Sequence, residues 1–271
     1  PWYVVMGLPS AGKTSLIVES DLKLPLAHVF GQEESRRVRP TEELDYWVSN
    51  EAVLFDLSGE LMSYDEEGSG SSDGKESKVW KTFQTMLNKY RPRRPINGVV
   101  LVVDLMDLVQ SSQDERAAKS AYLHARLVEL SSALGTRFTL HVVLTKLDLF
   151  EGFREFFSNW AVKDRETPLG FSFDPKVTDK NGGAKDAWLE VYNHDFDAFL
   201  QRVNTCLPTY MANQRDAEGR RKVYSFARDL VAIKSLTADF LIETLHADHF
   251  STTPQVRGIF FTSARQEGVK L

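Results

Sequence analysis

The residues from Gly7 to Thr14 read GLPSAGKT, a G-x-x-x-x-G-K-[ST] pattern set between an apolar run and a helical one. That context gives the motif its meaning: a loop of backbone N–H groups closing around phosphate oxygens at the start of a helix. Gly7, Ser10, Ala11, Gly12, Lys13, Thr14 and Ser15 are the candidate phosphate-binding residues. Gly7 and Gly12 are expected to supply backbone dihedrals closed to other residues. Lys13 carries the charge that neutralises β- and γ-phosphates, and the Thr14 hydroxyl is a ligand for Mg2+.

A second cluster follows in AVLFDLSGE. Asp56 ends an apolar run and can hold Mg2+ beside Thr14. Gly59, three positions on, can sense a γ-phosphate through its N–H. Glu60 stands where D-x-x-G-Q GTPases carry a water-orienting glutamine. A carboxylate there is repelled by the phosphate, so slow hydrolysis is expected. Thr41 is the candidate switch threonine on Mg2+, and Lys13, Thr41 and Glu60 form the catalytic set. Arg36, Arg37 and Arg39 could supply a cis arginine, although a solvated charged loop is the favoured reading for them.

Base recognition is suggested by TKLD, Thr145 to Asp148, one conservative step from N-K-x-D. A carboxylate accepts hydrogen bonds only, and guanine presents adjacent N1–H and N2–H₂ donors, whereas adenine would set an acceptor against it. Thr145, Lys146 and Asp148 are therefore candidate base-binding residues. The Lys146 stem is expected to cover the base while its ammonium reaches the P-loop or the ribose. Ser263 and Ala264, in TSA after the final apolar run, would place a backbone N–H against guanine O6. GTP is favoured, and the threonine at position 145 keeps ATP open.

The elements that must position these residues are five apolar runs: Trp2–Met6, Ala52–Phe55, Gly98–Val103, Leu140–Leu144 and Gly258–Phe261. Their continuous hydrophobicity suits parallel strands buried on both faces. Helical patterns lie between them, notably Ser15–Glu19 and Ser120–Leu134, the latter with Ala121, Leu123, Leu127, Leu130 and Leu134 on one side. From Asp186 to Phe250 two further helical stripes run. One carries Trp188, Tyr192, Phe196, Phe199, Leu200 and Val203; the other carries Tyr224, Ala227, Leu230, Ile233, Leu236, Phe240 and Leu241. The fold expected is α/β, a doubly wound, mainly parallel P-loop NTPase sheet of GTPase-like type with an inserted all-helical subdomain. Residues 1–173 and 252–271 would form the nucleotide domain and 174–251 the insert. Ser63–Ser77 and Asp174–Lys185 are too polar to pack and read as surface insertions.

Composition narrows the class. The chain has 271 residues, 42% hydrophobic and 26% charged, with a formal net charge of -5 and no basic stripe for nucleic acid. Cys206 is its single cysteine, which excludes disulfide and cysteine-zinc frameworks and suits a reducing compartment. No apolar run approaches the roughly 18–20 residues needed to span a bilayer. A chain entering a strand at its second residue without an initiator Met reads as a domain of a larger protein.

Several longer phrases carry a resemblance. PWYVVMGLPSAGKTSLI, DYWVSNEAVLFDLSGEL, RRPINGVVLVVDLMDL, HARLVELSSALG, VVLTKLDLFEGFREFF and RGIFFTSARQEG resemble, in order, the TssM/IcmF family of type VI secretion systems. The resemblance implies a cytoplasmic NTPase domain of an inner-membrane protein, with TssL, baseplate components and, through a periplasmic part, TssJ as partners. It departs from the family at Leu57, Ser58 and Glu60, where D-T-A-G-R is usual, which touches hydrolysis rather than binding. The expectation is an Mg2+-dependent domain that binds GTP or ATP, turns it over slowly and regulates secretion. The alternatives are an ATPase driving the machine and a nucleotide-stabilised scaffold. Residues 186–250 would contact TssL or the baseplate.

Overall fold

The computed structural model describes residues 1–20, 22, 41, 44–62, 75–161, 167–175, 187–246 and 254–263. The predicted loops Ser63–Ser77 and Asp174–Lys185 lie largely outside the described residues, as do Arg36, Arg37, Arg39 and Ala264. Among the described residues, one sheet has seven strands in the order β2-β3-β1-β4-β5-β7-β6. These are β1 (Trp2–Met6), β2 (Leu44–Val48), β3 (Val53–Leu57), β4 (Gly98–Asp104), β5 (Thr139–Thr145), β6 (Leu169–Ser172) and β7 (Gln255–Phe261). β3, β1, β4, β5 and β7 run parallel, and all five correspond to apolar runs read from the sequence. The other two were not anticipated. β2 and β6 are antiparallel strands closing the two edges.

Edge position explains the omission. β2 leaves Tyr46 exposed, and β6 carries Gly170 within four residues, so neither shows an uninterrupted apolar run.

The chain leaves β1 toward β3 on one side and later β4 on the other. The sheet's topological reversal therefore falls at the carboxyl end of β1, the expected crevice for a ligand in such a sheet. Alternate residues of the central strands face opposite sides. Val4, Met6, Val99, Leu101 and Val103 join one large apolar cluster, while Val5 and Val102 join a smaller one with Ala11, Ile17 and Trp47.

The helices are α1 (Lys13–Val18), α2 (Lys75–Tyr90), α3 (Leu105–Gln110), α4 (Gln113–Leu134), α5 (Phe153–Phe157), α6 (Ala187–Ala212) and α7 (Ala217–Leu245). α4 starts at a reciprocal cap, where Ser112 accepts from Glu115 N–H while the Glu115 carboxylate accepts from Ser112 N–H. It ends at Gly135, φ 57°. Its buried stripe is Ser120, Leu123, Leu127, Leu130 and Leu134; Ala121 is exposed, one position off the stripe expected.

α6 buries the whole predicted series from Trp188 to Val203. In α7 Ala227, Leu230, Ile233, Phe240 and Leu241 are buried as expected and Leu236 half-buried, but Tyr224 is 53% exposed, with Val223 and Phe226 inside. Both helices belong to the same large cluster as the sheet. α7 packs on α4, α5 and α6, so these helices are continuous with the core that supports the strands.

Two glycines with positive φ distinguish conformational need from crowding. At Gly135 an added Cβ would meet nothing within 4 Å, whereas at Gly152 (φ 86°) it would lie 2.0 Å from the Lys222 carbonyl oxygen of α7. Gly135→Ala should cost about 1 kcal/mol, the left-handed penalty alone. Gly152→Ala adds overpacking and should cost about 3 kcal/mol or more. Urea denaturation of the two variants checks this, and equal losses would show that α7 yields freely at its contact with Gly152.

Candidate functional site

The loop after β1 holds two left-handed residues two positions apart, Ser10 (φ 59°) and Gly12 (φ 87°). Such a sequence turns successive N–H groups toward one point and forms an anion cradle. Gly12 is required by its dihedral. Gly7 has no positive φ; it is required because a Cβ would stand 2.3 Å from the Val102 carbonyl oxygen of β4. Dihedral freedom was the expectation for both glycines, and close approach is the reason at Gly7. Ala11 is buried, Ser10 is exposed, and Ser15 is half-buried in the first turn of α1.

The Lys13 side chain folds back over this loop. Its ammonium donates to the carbonyl oxygens of Gly7 (2.9 Å) and Leu8 (3.1 Å) and is 6% exposed. Burial holds the ammonium below the usual lysine range, with the Asp56 charge opposing that shift.

Asp56 lies on β3 opposite Val5 of β1 in the parallel register. Its Oδ2 accepts from the Thr14 hydroxyl at 2.7 Å and from the Thr41 hydroxyl at 3.1 Å, and those two hydroxyl oxygens are 3.2 Å apart. Its Oδ1 is enclosed and has no hydrogen-bond partner among the described residues. Burial pushes the Asp56 carboxyl up; the Thr14 bond, the Lys13 charge and the Thr41 bond pull it down, and Asp45 across the β2–β3 pair adds to the rise.

Two hydroxyls and a carboxylate with an unsatisfied oxygen are a donor set suited to a hard divalent cation such as Mg2+, which takes oxygen ligands and keeps several waters. Thr14, Thr41 and Asp56 would hold it. Gly59 closes this side against the P-loop: a Cβ there would lie 2.3 Å from Pro9 N. Ser58 is buried and accepts from Glu60 N–H at 3.3 Å, and Glu60 itself is exposed at the start of a 3-10 turn, Glu60–Met62.

The predicted base-binding residues separate into distinct roles. Thr145 is 5% exposed, and its hydroxyl donates to the Ala11 carbonyl oxygen at 2.7 Å with the Val103 carbonyl at 3.2 Å. The side chain therefore anchors the P-loop to β5, a role the sequence did not suggest. Lys146 has φ 64°, and its ammonium pairs with the Asp104 carboxylate, where the sequence suggested the P-loop or the ribose.

Asp148 sits half-buried in the turn Leu147–Leu149 after β5, with no partner among the described residues. The Ser263 hydroxyl is enclosed and has no partner among the described residues, just past the Thr262 N–H that bonds to the Leu144 carbonyl (2.8 Å). Asp104 was missed. Its signal was available, because in the sequence it closes an apolar run as Asp56 does.

This arrangement, a P-loop at the reversal of a mainly parallel sheet with an acceptor-bearing turn after β5, defines a P-loop protein of GTPase-like fold. Residues 73–271 match the model of the IcmF-related N-terminal domain, and the chain belongs to that family. It is 34% identical over 268 residues to the type VI secretion system component TssM1 of Pseudomonas aeruginosa (strain PAO1). That match covers 99% of this chain and 24% of the relative, so the chain spans about a quarter of that protein's length. The P-loop and Asp56 precede the range matched by the family model.

Similar solved structures include the signal recognition particle receptor SRb-GTP/SRX complex from Chaetomium thermophilum, at 19% identity and TM-score 0.35 over 55% of this chain and 71% of that one. A probable GTP-binding protein engB is 17% identical, with TM-score 0.35 over 56% and 73%. The fold assignment rests on the strand order and the placement of the loop. Among the described residues, no helix is long and apolar enough to cross a membrane.

Asp56→Asn keeps an acceptor for both threonine hydroxyls and removes a buried charge. Because the carboxyl is raised in the folded chain, its stabilising contribution is present at low pH and lost as pH rises through that raised range. The nucleotide-free variant should therefore melt roughly 2–4 °C above wild type near neutral pH. That advantage should vanish as pH falls toward about 4. Thermal melts across this pH range test it, and an Asn variant less stable at neutral pH would show that the carboxylate supports the fold.

Proposed function

We propose that this chain binds a nucleoside triphosphate with Mg2+, prefers guanine, turns the nucleotide over slowly and acts as a nucleotide-dependent switch within a type VI secretion system. The observation carrying this reading is the convergence of Thr14, Thr41 and Asp56 beside Lys13, under a loop with two left-handed residues. Mg2+ would supply charge neutralisation between the β- and γ-phosphates.

The chain's own residues do the rest. Ser10 to Ser15 present backbone N–H groups to the phosphates, and Lys13 exchanges two carbonyl partners for phosphate oxygens. Anion binding relieves the cost of burying that ammonium, so affinity and charge burial are linked.

Gly59 packs on Pro9, so a γ-phosphate that draws the Gly59 N–H inward bears directly on the P-loop. Glu60 could accept from an attacking water, but its charge is repelled by the neighbouring γ-phosphate, which supports slow turnover. It also supports the second reading, a scaffold that keeps its nucleotide uncleaved. Asp148, an unpartnered acceptor, supports guanine over adenine. The relationship to TssM1 supports partners among other secretion subunits, TssL and the baseplate included, and a place on the cytoplasmic side of the inner membrane. TssJ would be met through the periplasmic part of the longer protein.

Titration of fluorescent GTP and ATP analogues with Mg2+, with phosphate release followed in parallel, tests the proposal. GTP should bind tighter than ATP, Lys13→Ala should abolish binding of both, and Asp148→Ala should reduce the GTP preference by about 1–3 kcal/mol. Equal ATP affinity would remove the guanine assignment. Binding without multiple-turnover release would favour the scaffold.

A further inference from the structure

Asp104 is the last residue of β4 and lies opposite Thr145 in the β4–β5 register, one residue before Lys146. Its Oδ1 caps α3, accepting from Met106 N–H at 3.0 Å and Asp107 N–H at 3.1 Å. Those two bonds fix the carboxylate's rotamer and aim Oδ2 at the Lys146 ammonium, with which it forms an ion pair. The Asp104 side chain is 13% exposed, so water does little to loosen it.

Lys146 sits in the left-handed region, where a residue with a Cβ stays only if its surroundings hold it. Its backbone is set by the turn Leu147–Leu149 and its side-chain end by Asp104. Asp104 also borders a cavity of about 20 Å³ behind the P-loop, with Pro9 and Ala11 on one wall and Phe240 of α7 on another.

We propose that Asp104 is a positioning residue of the nucleotide site: by holding the Lys146 ammonium from behind, it lays the lysine stem across the entrance where the face of a purine would rest. This inference rests on the nucleotide-binding reading above. A lysine stem free at its end samples many rotamers, and a bound base would have to order it; a stem already fixed spares that ordering on binding. The same carboxylate ties the start of α3 to the base-side turn, so displacement of one is felt by the other.

Capping of α3 alone would also account for an aspartate at this position, and Asp104→Asn separates the two roles. The amide oxygen still accepts from Met106 and Asp107, while the charge that holds Lys146 is gone. Release of a fluorescent GTP analogue is measured by chase with unlabelled nucleotide in the wild-type chain, Asp104→Asn, Lys146→Met and the double variant. Thermal melts report folding.

Asp104→Asn and Lys146→Met should each speed release about tenfold, the loss expected of one charge-assisted contact. The double variant should be no faster than Lys146→Met. Wild-type release from Asp104→Asn overturns the proposal while leaving nucleotide binding intact. A further acceleration by Asp104→Asn in the Lys146→Met background also overturns it, because Asp104 then acts through something other than Lys146. Failure of the wild-type chain to bind any nucleotide overturns both readings at once.

Discussion

Lys13 and Asp56 are two opposite charges buried side by side under the P-loop. Each is held away from its ordinary titration range chiefly by burial, and their mutual attraction offsets only part of that cost. The surrounding fold is arranged to keep them there. The β1–β3 pairing puts Val5 beside Asp56, β4 crowds Gly7 through the Val102 carbonyl, and Gly59 presses on Pro9. Each contact narrows the loop's freedom, so the cradle exists before its anion arrives. Interactions fixed in advance are worth more to a charged ligand than ones that must be assembled around it.

Support for the base-side turn comes from the helices. Phe153, Phe156 and Phe157 of α5 pack on Phe226 of α7, and Phe156 also meets Tyr210 of α6 edge-on, centroids 5.2 Å apart. Arg221 donates to both carboxylate oxygens of Glu151, and Lys222 faces Glu155. The exposed ion pairs add little alone. The aromatic cluster is the anchor, and it places the turn with Asp148 at the carboxyl edge of β5. The long helices thus support the turn, and α7 also reaches the cavity beside the P-loop through Phe240.

How much of this was legible depends on whether the signal was local. The P-loop could be read because its chemistry lies within eight consecutive positions and its flanks are apolar. Asp56 was legible from its place at a strand end. Thr145 was not, since a threonine in a base-reading motif gives no sign that its hydroxyl will find Ala11, 134 residues away in sequence. The pairing of Lys146 with Asp104 is likewise set by sheet register, which no single segment encodes. β2 and β6 were lost because edge strands need no apolar run. In α7, Tyr224 was placed inside because a large aromatic fits a hydrophobic stripe, yet the phase of the helix buries its neighbours Val223 and Phe226. At Gly7 the constraint is crowding by β4 rather than dihedral freedom, and that crowding is invisible without the sheet.

α7 meets Gly152, three residues past the base-side turn, at Lys222, and at Phe240 it borders the cavity that Pro9 and Ala11 also line; the two positions stand about 27 Å apart along a helix rising 1.5 Å per residue. A rigid rod spanning both ends of one site is a lever. A tilt of about 5° pivoting at Gly152 would carry Phe240 by roughly 2 Å, a little more than the radius of a water molecule, toward or away from Pro9. The small void behind the P-loop gives that stroke somewhere to go.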